Sequence, residues 1–241
     1  MTEELRPVVI LPARLASSRF PRKLVSPLRG EALIKHALNS AIEAFPSTSV
    51  YVAYPKEDVE FDYHVPRNHA IRTSSRPRNG TERCAEAVGI IDPDGTRFDV
   101  VVNVQPDMPH FGHDIARVLE PIAAGADMAT LGAEFGDHTE QNENTVRLLG
   151  SRCVVDTFTR RPSNQCWLHV GVYAYRRGTL SMYASTEPGF LELDQKLEQL
   201  RLLEEEWALP QPRSSWMRFA TIDHYPPSIN TPEDMDALYG T

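Results

Sequence analysis

The run Val8-Val9-Ile10-Leu11 constrains the fold of this chain more than any other stretch: it is short, β-branched and apolar, and Pro12 ends it abruptly. Such a run reads as a strand buried on both faces, the kind found inside a parallel sheet covered by helices. Beyond Pro12 the chain turns polar and cationic, with Arg14, Ser17, Ser18, Arg19 and Lys23 on one loop. In an open α/β sheet, ligands bind at the carboxyl ends of the strands. The loop is therefore placed for a highly anionic ligand, a polyphosphate above all. A solvated basic turn is the other reading of these residues; the recurrence of cations on one short loop behind the first strand favours a binding site.

The rest of the chain continues in the α/β manner. Leu33, Ala37, Leu38, Ala41 and Ile42 fall at helical spacing between Ala32 and Ala44, Pro46 closes the segment, and Ser49-Val50-Tyr51-Val52-Ala53 succeeds it as a strand. Strand, helix and strand at this length predict a right-handed parallel crossover. Residues 55–76 show no clean period beyond a short strand at Ala70-Ile71-Arg72-Thr73. A helix opens near Asn79-Gly80-Thr81, with Thr81 the expected N-cap. Free N–H groups at such an end suit a phosphate or a base carbonyl. The strongest strand signal, Phe98 to Gln105, ends in Pro106-Asp107-Met108-Pro109. A carboxylate held between prolines there can bind a hard cation, and magnesium takes one or two carboxylates plus substrate phosphates. A plain turn aspartate is the alternative.

Further helices are predicted over 114–124 and 191–207, the second with Leu193, Leu197, Leu200 and Leu203 on its apolar face. Strands are predicted over 127–134 and, within 144–161, as a pair joined around Gly150. From His169 to Arg176 the chain alternates as a strand does, so His169 and Tyr173 share a face. Thr231 caps a last helix that Pro232 begins.

Composition narrows the function. Lys and Arg number 25 against 33 Asp and Glu, a formal charge of −8, so nucleic acid and membrane surfaces are poor partners and the cationic loop is a local pocket in a negative field. Cys84, Cys153 and Cys166 are too far apart for a disulfide framework or a zinc site. With neither a signal peptide nor an apolar run long enough to span a bilayer, the expectation is a reduced, cytoplasmic protein. No linker interrupts the 241 residues, which read as a single domain, 1–241.

The loop after the first strand resembles the signature P-A-R-x-x-S-x-R-[FL]-P-x-K of the 3-deoxy-manno-octulosonate cytidylyltransferases, the CMP-KDO synthetases, at Pro12, Ala13, Arg14, Ser17, Arg19, Phe20, Pro21 and Lys23. Other motifs come in the family's order. Gly80-Thr81-Glu82-Arg83 is similar to its S-G-T-D-R element, Asn103 to Pro109 to N-V-Q-G-D-E-P, and Phe158 to Pro162 to F-S-R-x-P. His169 to Arg176 resembles H-I-G-I-Y-A-Y-R, Leu197-Glu198-Gln199-Leu200-Arg201 is identical to L-E-Q-L-R, and Asn230 to Met235 stands where the family has D-T-P-E-D-L.

The resemblance implies an α/β fold, a three-layer α/β/α nucleotidyltransferase domain with a mixed, mostly parallel sheet and a small β-hairpin region that joins a homodimer. The implied reaction transfers CMP from CTP to the anomeric hydroxyl of a 2-keto sugar acid and releases pyrophosphate. Arg14, Arg19, Lys23 and Asp107 would be its catalytic residues. Ser17, Thr81, Glu82, Arg83 and Gln105 would bind the nucleotide, with Thr81 and Gln105 on the cytidine. Asp107 would hold Mg2+, with Asn230 at the position of the second ligand. Arg160, His169, Tyr173, Glu198 and Gln199 would orient the acid. The departures are Arg22 and Pro106 for glycines, Glu82 for Asp, Met108 for Glu and Asn230 for Asp. Arg22 predicts a stiffer, more cationic loop. Arg22, Pro106, Met108 and Asn230 motivate a second reading, a cytidylyltransferase for a different acid (a modified octulosonate, a nonulosonate or a phosphonate), and Asn230 also motivates a third, a nucleotide-binding relative without catalysis.

Overall fold

The structure is a computed structural model that describes residues 4–17, 19–46, 48–135, 145–163, 166–207 and 216–239. The chain gathers into two compact units, Arg6–Ala116 with Pro226–Thr241 and Met1–Leu5 with Arg117–Tyr225.

In the first of these, β1 (Pro7–Pro12) is the expected buried strand, with Val8 through Leu11 wholly removed from solvent. A small ladder of β2 (Pro27–Leu28) and β3 (Glu31–Ala32) leads into α1 (Leu33–Ala44), which buries Leu33, Ile34, Ala37, Leu38 and Ala41. Then come β4 (Ser49–Pro55), β5 (Ala70–Thr73), α2 (Gly80–Ile91) and β6 (Val100–Val104). The four strands are parallel in the order β5-β4-β1-β6. The crossovers β1-α1-β4 and β5-α2-β6 travel in opposite directions along the sheet, so right-handed connections put α1 and α2 on opposite faces. That covering explains why every residue of β6 is buried. The register sets Ile10 beside Asn103, and the loops leaving β1 and β6 therefore emerge side by side.

Two helix boundaries between residues 79 and 124 differ from expectation. The cap of α2 is Asn79, whose side chain accepts from the Glu82 N–H at 2.9 Å; Thr81 lies inside the first turn and is fully buried. The helix expected over 114–124 is a 3₁₀ segment, His113–Val118, followed by the short α3 (Leu119–Ala123). Pro121 has no N–H for the helical bond one turn back, which keeps a regular α-helix from running through.

The second unit holds β7 (Met128–Ala133), β8 (Arg147–Ser151), β9 (Val154–Thr159), β10 (Trp167–Arg176), α4 (Arg177–Ser185), α5 (Phe190–Gln195), α6 (Leu200–Trp207) and β11 (Met217–Ile222). Its strands take the order β10-β7-β11-β9-β8, with β7 and β11 parallel, the other pairs antiparallel, and β8 returning to β10. The β8–β9 hairpin turns at Arg152 and Cys153, both left-handed (φ 50 and 63), and not at Gly150. Consecutive left-handed residues suit the twist of a tight hairpin.

The amphipathic helix expected over 191–207 is the pair α5 and α6. Lys196 is left-handed (φ 53) and ends α5, and Leu197, Glu198 and Gln199 turn the chain before α6 begins. A long-range pair causes the break. The Arg201 guanidinium donates to both oxygens of Glu192, Nε to Oε2 at 2.6 Å and Nη2 to Oε1 at 2.7 Å, and the two residues are only 1% and 8% exposed. On an unbroken helix their separation of nine residues would place them about 13 Å apart along the axis. Glu204 meanwhile caps α5, accepting from the N–H groups of Leu191 and Glu192 at 2.9 and 3.2 Å. Leu197, Leu200 and Leu203 are buried as expected, whereas Leu193 is exposed.

Gly150 has a different job from a turn. It lies in β8 where the register with β9 slips, and a Cβ there would sit 2.3 Å from the Val154 carbonyl oxygen. Gly150→Ala is expected to lower unfolding stability by about 2 kcal/mol, read from the urea midpoint. An unchanged midpoint would show that the slip accommodates a side chain.

Candidate active site

The loop after β1 is tied at its backbone. Ala13 donates to the Ala53 carbonyl (2.8 Å), Leu15 to Asp58 Oδ2 (2.9 Å), and Arg22 to the Leu15 carbonyl (3.1 Å). Arg22 has φ 60 and ψ 18, the left-handed region that favours glycine, the residue the family has at this position. Its guanidinium pairs with Glu60, so the extra cation is committed to that carboxylate. Arg14 and Arg19 are exposed and Ser17 is half-buried.

Lys23 turns inward. Its side chain is 11% exposed, and Nζ donates to Asp107 Oδ2 at 3.0 Å and to the Ile229 carbonyl at 2.6 Å. Asp107 stands just beyond β6, and its own carbonyl accepts from the Ile229 N–H at 2.8 Å. Arg19 Nη2 donates to Asn230 Oδ1 at 3.3 Å. Asn230 precedes α7 (Pro232–Tyr239), whose cap is reciprocal: Thr231 Oγ1 accepts from the Asp234 N–H, and Asp234 Oδ2 accepts from the N–H groups of Asn230 and Thr231 at 2.7 and 2.9 Å. Arg19, Lys23, Asp107 and Asn230, distant in sequence, are thus brought together. One atom is left over: Asp107 Oδ1 is buried and has no hydrogen-bond partner among the described residues. Pro106 and Met108, on either side of Asp107, are buried, so the family's glutamate position is filled by an apolar side chain.

Around the start of α2, Thr81 Oγ1 accepts from Asn103 Nδ2 at 3.2 Å, and Asn103 Oδ1 is another buried atom without a partner among the described residues. Glu82 accepts from the backbone and the Nε of Arg78 at 2.7 and 2.8 Å. Arg83 is buried and donates to the Ser74 carbonyl at 3.2 Å; burial lowers its pKa from the ordinary value, with Glu86 opposing and Arg14 adding to the effect. Glu82 and Arg83 therefore serve the turn between β5 and α2. Gln105 is half-buried, immediately before Pro106.

The acceptor-side residues expected from the sequence belong to the second unit. The rings of His169 and Tyr173 lie 5.2 Å apart, as their shared face requires, and the Phe158 ring meets His169 edge-on at 5.0 Å. His169 Nε2 is 3.1 Å from Thr130 Oγ1. Burial, assisted by the charge of Arg160, pushes the His169 pKa down to about 3, and burial with the nearby Glu198 carboxylate raises the Tyr173 phenol well above its ordinary value. Both rings are neutral at physiological pH. Glu198 is half-buried and Gln199 buried, in the turn between α5 and α6 and not on a helix face. The Arg160 carbonyl accepts from Arg147 Nη1 at 3.1 Å. Thr130 and the Arg201–Glu192 pair lie outside the expected set. Arg201 has a signal, as the last residue of the L-E-Q-L-R match; Thr130 has only its polarity within an apolar strand.

Residues 8–209 match the family model described as cytidylyltransferase. The 3-deoxy-manno-octulosonate cytidylyltransferase of Methylobacterium radiotolerans is 36% identical over 95% of this chain and 94% of its own length. The chain belongs to the 3-deoxy-manno-octulosonate cytidylyltransferase family. The relative from Paramagnetospirillum magneticum that carries the same name is 35% identical to this cytidylyltransferase over 97% of the chain and 96% of its own length. Among solved structures, that of CMP:2-keto-3-deoxy-manno-octonic acid synthetase complexed with CTP matches with a TM-score of 0.80 at 25% identity, covering 97% of both chains. The α/β nucleotidyltransferase fold expected from the sequence is the fold of the enzyme. Among the described residues, no helix is long and apolar enough to cross a membrane.

The neutral His169 ties stability to pH. An unfolded histidine titrates near ~6.5, whereas the folded ring stays neutral down to about 3. Between these values the unfolded chain binds the extra proton, so this residue removes stability as the pH falls, by up to about 1.4 kcal/mol per pH unit. His169→Gln is expected to lose less unfolding free energy than the parent from about pH 6 to about pH 4. Parallel curves in urea titrations would mean that His169 is already protonated in the fold.

Proposed function

We propose that this cytidylyltransferase transfers CMP from CTP to the anomeric hydroxyl of 3-deoxy-manno-octulosonate or a close analogue, with release of pyrophosphate. The observation that carries the reading is the inward Lys23–Asp107 pair beside the cationic loop, with one carboxylate oxygen of Asp107 left without a partner among the described residues. In the reaction the acceptor oxygen attacks the α-phosphorus of CTP, the bond from that phosphorus to the bridging oxygen breaks, and pyrophosphate leaves with the electron pair. The hydroxyl proton passes to solvent. Phosphoryl transfer of this kind asks for positioning and charge neutralisation, with no covalent nucleophile from the protein.

Arg14, Arg19 and Lys23 neutralise the charge that grows on the departing pyrophosphate. An ammonium carries three donors, and Lys23 uses two of them on Asp107 and Ile229, which leaves one for a phosphate oxygen. Ser17 stands on the same loop, Thr81 and Gln105 hold the cytidine, and Glu82 and Arg83 shape the turn that presents Thr81. Arg160, His169, Tyr173, Glu198 and Gln199 orient the acid, Arg160 as counter-ion to its carboxylate.

The donor set fits magnesium. The described residues contain no cluster of three or more His, Cys, Asp or Glu side chains, but a magnesium site needs only one or two carboxylates with phosphate and water. Asp107 Oδ1 would hold the ion; Asn230 is the weaker second ligand, being uncharged and already accepting from Arg19. Bound there, magnesium would withdraw charge from the phosphate oxygens and lower the pKa of the acceptor hydroxyl. Reduced thiols belong to the same reading, supported by the free Cys84, Cys153 and Cys166, and a homodimer is proposed with it from the family resemblance alone.

Transfer of CMP to a different acid is the second reading, favoured by the buried Met108 in place of a carboxylate. Pyrophosphate release from CTP with magnesium, across a panel of octulosonates, nonulosonates and phosphonates, decides between them. Turnover with the octulosonate supports the first, turnover with another acid alone supports the second, and silence in protein that binds CTP leaves a nucleotide-binding relative without catalysis. Asp107→Ala is expected to abolish turnover while the melting temperature holds; near-normal turnover would remove Asp107 from the metal role. Asn230→Asp is expected to lower the magnesium concentration for half-maximal rate, and an unmoved titration would place the second ligand elsewhere.

A further inference from the structure

We propose that Thr130 is a positioning residue that fixes the tautomer of His169, so that Nδ1 faces the acceptor acid as a hydrogen-bond acceptor and selects an acid presenting a donor there, a hydroxyl or an ammonium. The proposal rests on the reading of His169 as an acid-facing residue.

The geometry begins with an irregularity in β10. Val170 pairs with Leu131 and Tyr173 with Thr130 on consecutive rungs, so Gly171 and Val172 stand outside the ladder with β7. The Val172 carbonyl accepts from the Thr130 hydroxyl at 2.8 Å. A carbonyl oxygen can only accept, and a threonine hydroxyl has one proton. That proton is therefore committed to Val172. The same Thr130 oxygen lies 3.1 Å from His169 Nε2, and with no proton left it can only accept there. Nε2 carries the N–H, and Nδ1 of the neutral ring carries the lone pair. The opposite tautomer would set two lone pairs against each other inside the protein. The extra residues in β10 do not disturb the faces: His169 is registered with Gly132 and Tyr173 with Thr130, alternate positions of β7, so imidazole, phenol and hydroxyl stay on one side.

The Phe158 edge and the Tyr173 ring also lie against the imidazole, and the charge of Arg160 acts on it. Among the described residues none hydrogen-bonds to Nδ1. A carbonyl or carboxylate of the acid set against that nitrogen would meet a lone pair; a hydroxyl or ammonium would donate to it. Thr130 thereby controls which polarity of substituent is accepted without touching the substrate itself.

The test uses the full chain. Imidazole nitrogen NMR of the parent, without substrate, is expected to show His169 with its proton on Nε2; a proton on Nδ1 would overturn the proposal. Thr130→Val removes the hydroxyl at nearly constant volume. Its KM for the acid is expected to rise about tenfold or more, with the KM for CTP and the kcat at saturating acid within a few-fold of the parent. Thr130→Ser, which keeps the hydroxyl, is expected to restore the acid KM. An acid KM unchanged in Thr130→Val, or one not restored by Thr130→Ser, would overturn the positioning role. If the valine variant does not fold, the parent tautomer and the acid KM of Thr130→Ser still decide. Failure of the parent to release pyrophosphate with CTP and any acid would overturn the functional reading and the selecting role together, while the tautomer is judged on its own.

Discussion

Parallel strands cannot be joined by tight turns, and this constraint organises the first unit. Because β4 and β6 both run alongside β1, each must be reached by a long connection, and the loops that leave β1 and β6 open at the same edge of the sheet. The cationic loop and the turn bearing Asp107 are neighbours for that reason. The apolar run Val8 to Leu11 is what fixes β1 in the middle, since its residues are sequestered on both faces.

Charge inside the molecule is handled by pairing, and the exceptions carry information. Arg201 and Glu192 are nearly sealed from water, yet the guanidinium meets both carboxylate oxygens and two backbone carbonyls, those of Tyr183 and Thr186. A buried pair satisfied in this way contributes little net stability against an apolar substitute, but removing one partner is costly. The pair is better understood as a geometric device that bends the chain at Lys196 and presents Glu198 and Gln199 from a turn. Asp107 is the contrasting case. One oxygen is met by Lys23 and the other by none of the described residues, an exception to the rule that buried polar atoms are hydrogen-bonded.

How much of this is legible in the sequence depends on the range of the interactions involved. The strands β1, β4, β5, β6, β7 and β10 announce themselves through local period and composition, and the structure has each of them. The cap at Thr231 is equally plain, because its signal lies within a few residues. Expectation and structure part where distant residues decide. Nothing between Leu191 and Trp207 is a helix breaker, and the break depends on Arg201 reaching back to Glu192. Thr81 is a good cap by type, but Asn79 is as good and stands one turn ahead of the bonded N–H. Gly150 looks like a turn because glycine serves turns, while the actual turn uses Arg152 and Cys153 in a backbone form that side chains disfavour. In the candidate site, Lys23 and Asp107 are legible through the motif match, whereas their mutual contact and the hydroxyl contact of Thr130 arise only once the sheet is assembled.

The strand order of the second unit bears on behaviour outside catalysis. Each of its five strands has at least two partners, because β8 pairs with β9 and returns to β10. Unpaired strand edges are templates on which a second chain can add and aggregation can start. Among the described strands of the first unit β5 pairs only with β4, and at four residues it offers little length for such addition. The return of β8 to β10 leaves the described strands of the second unit fewer open edges on which a further strand could add.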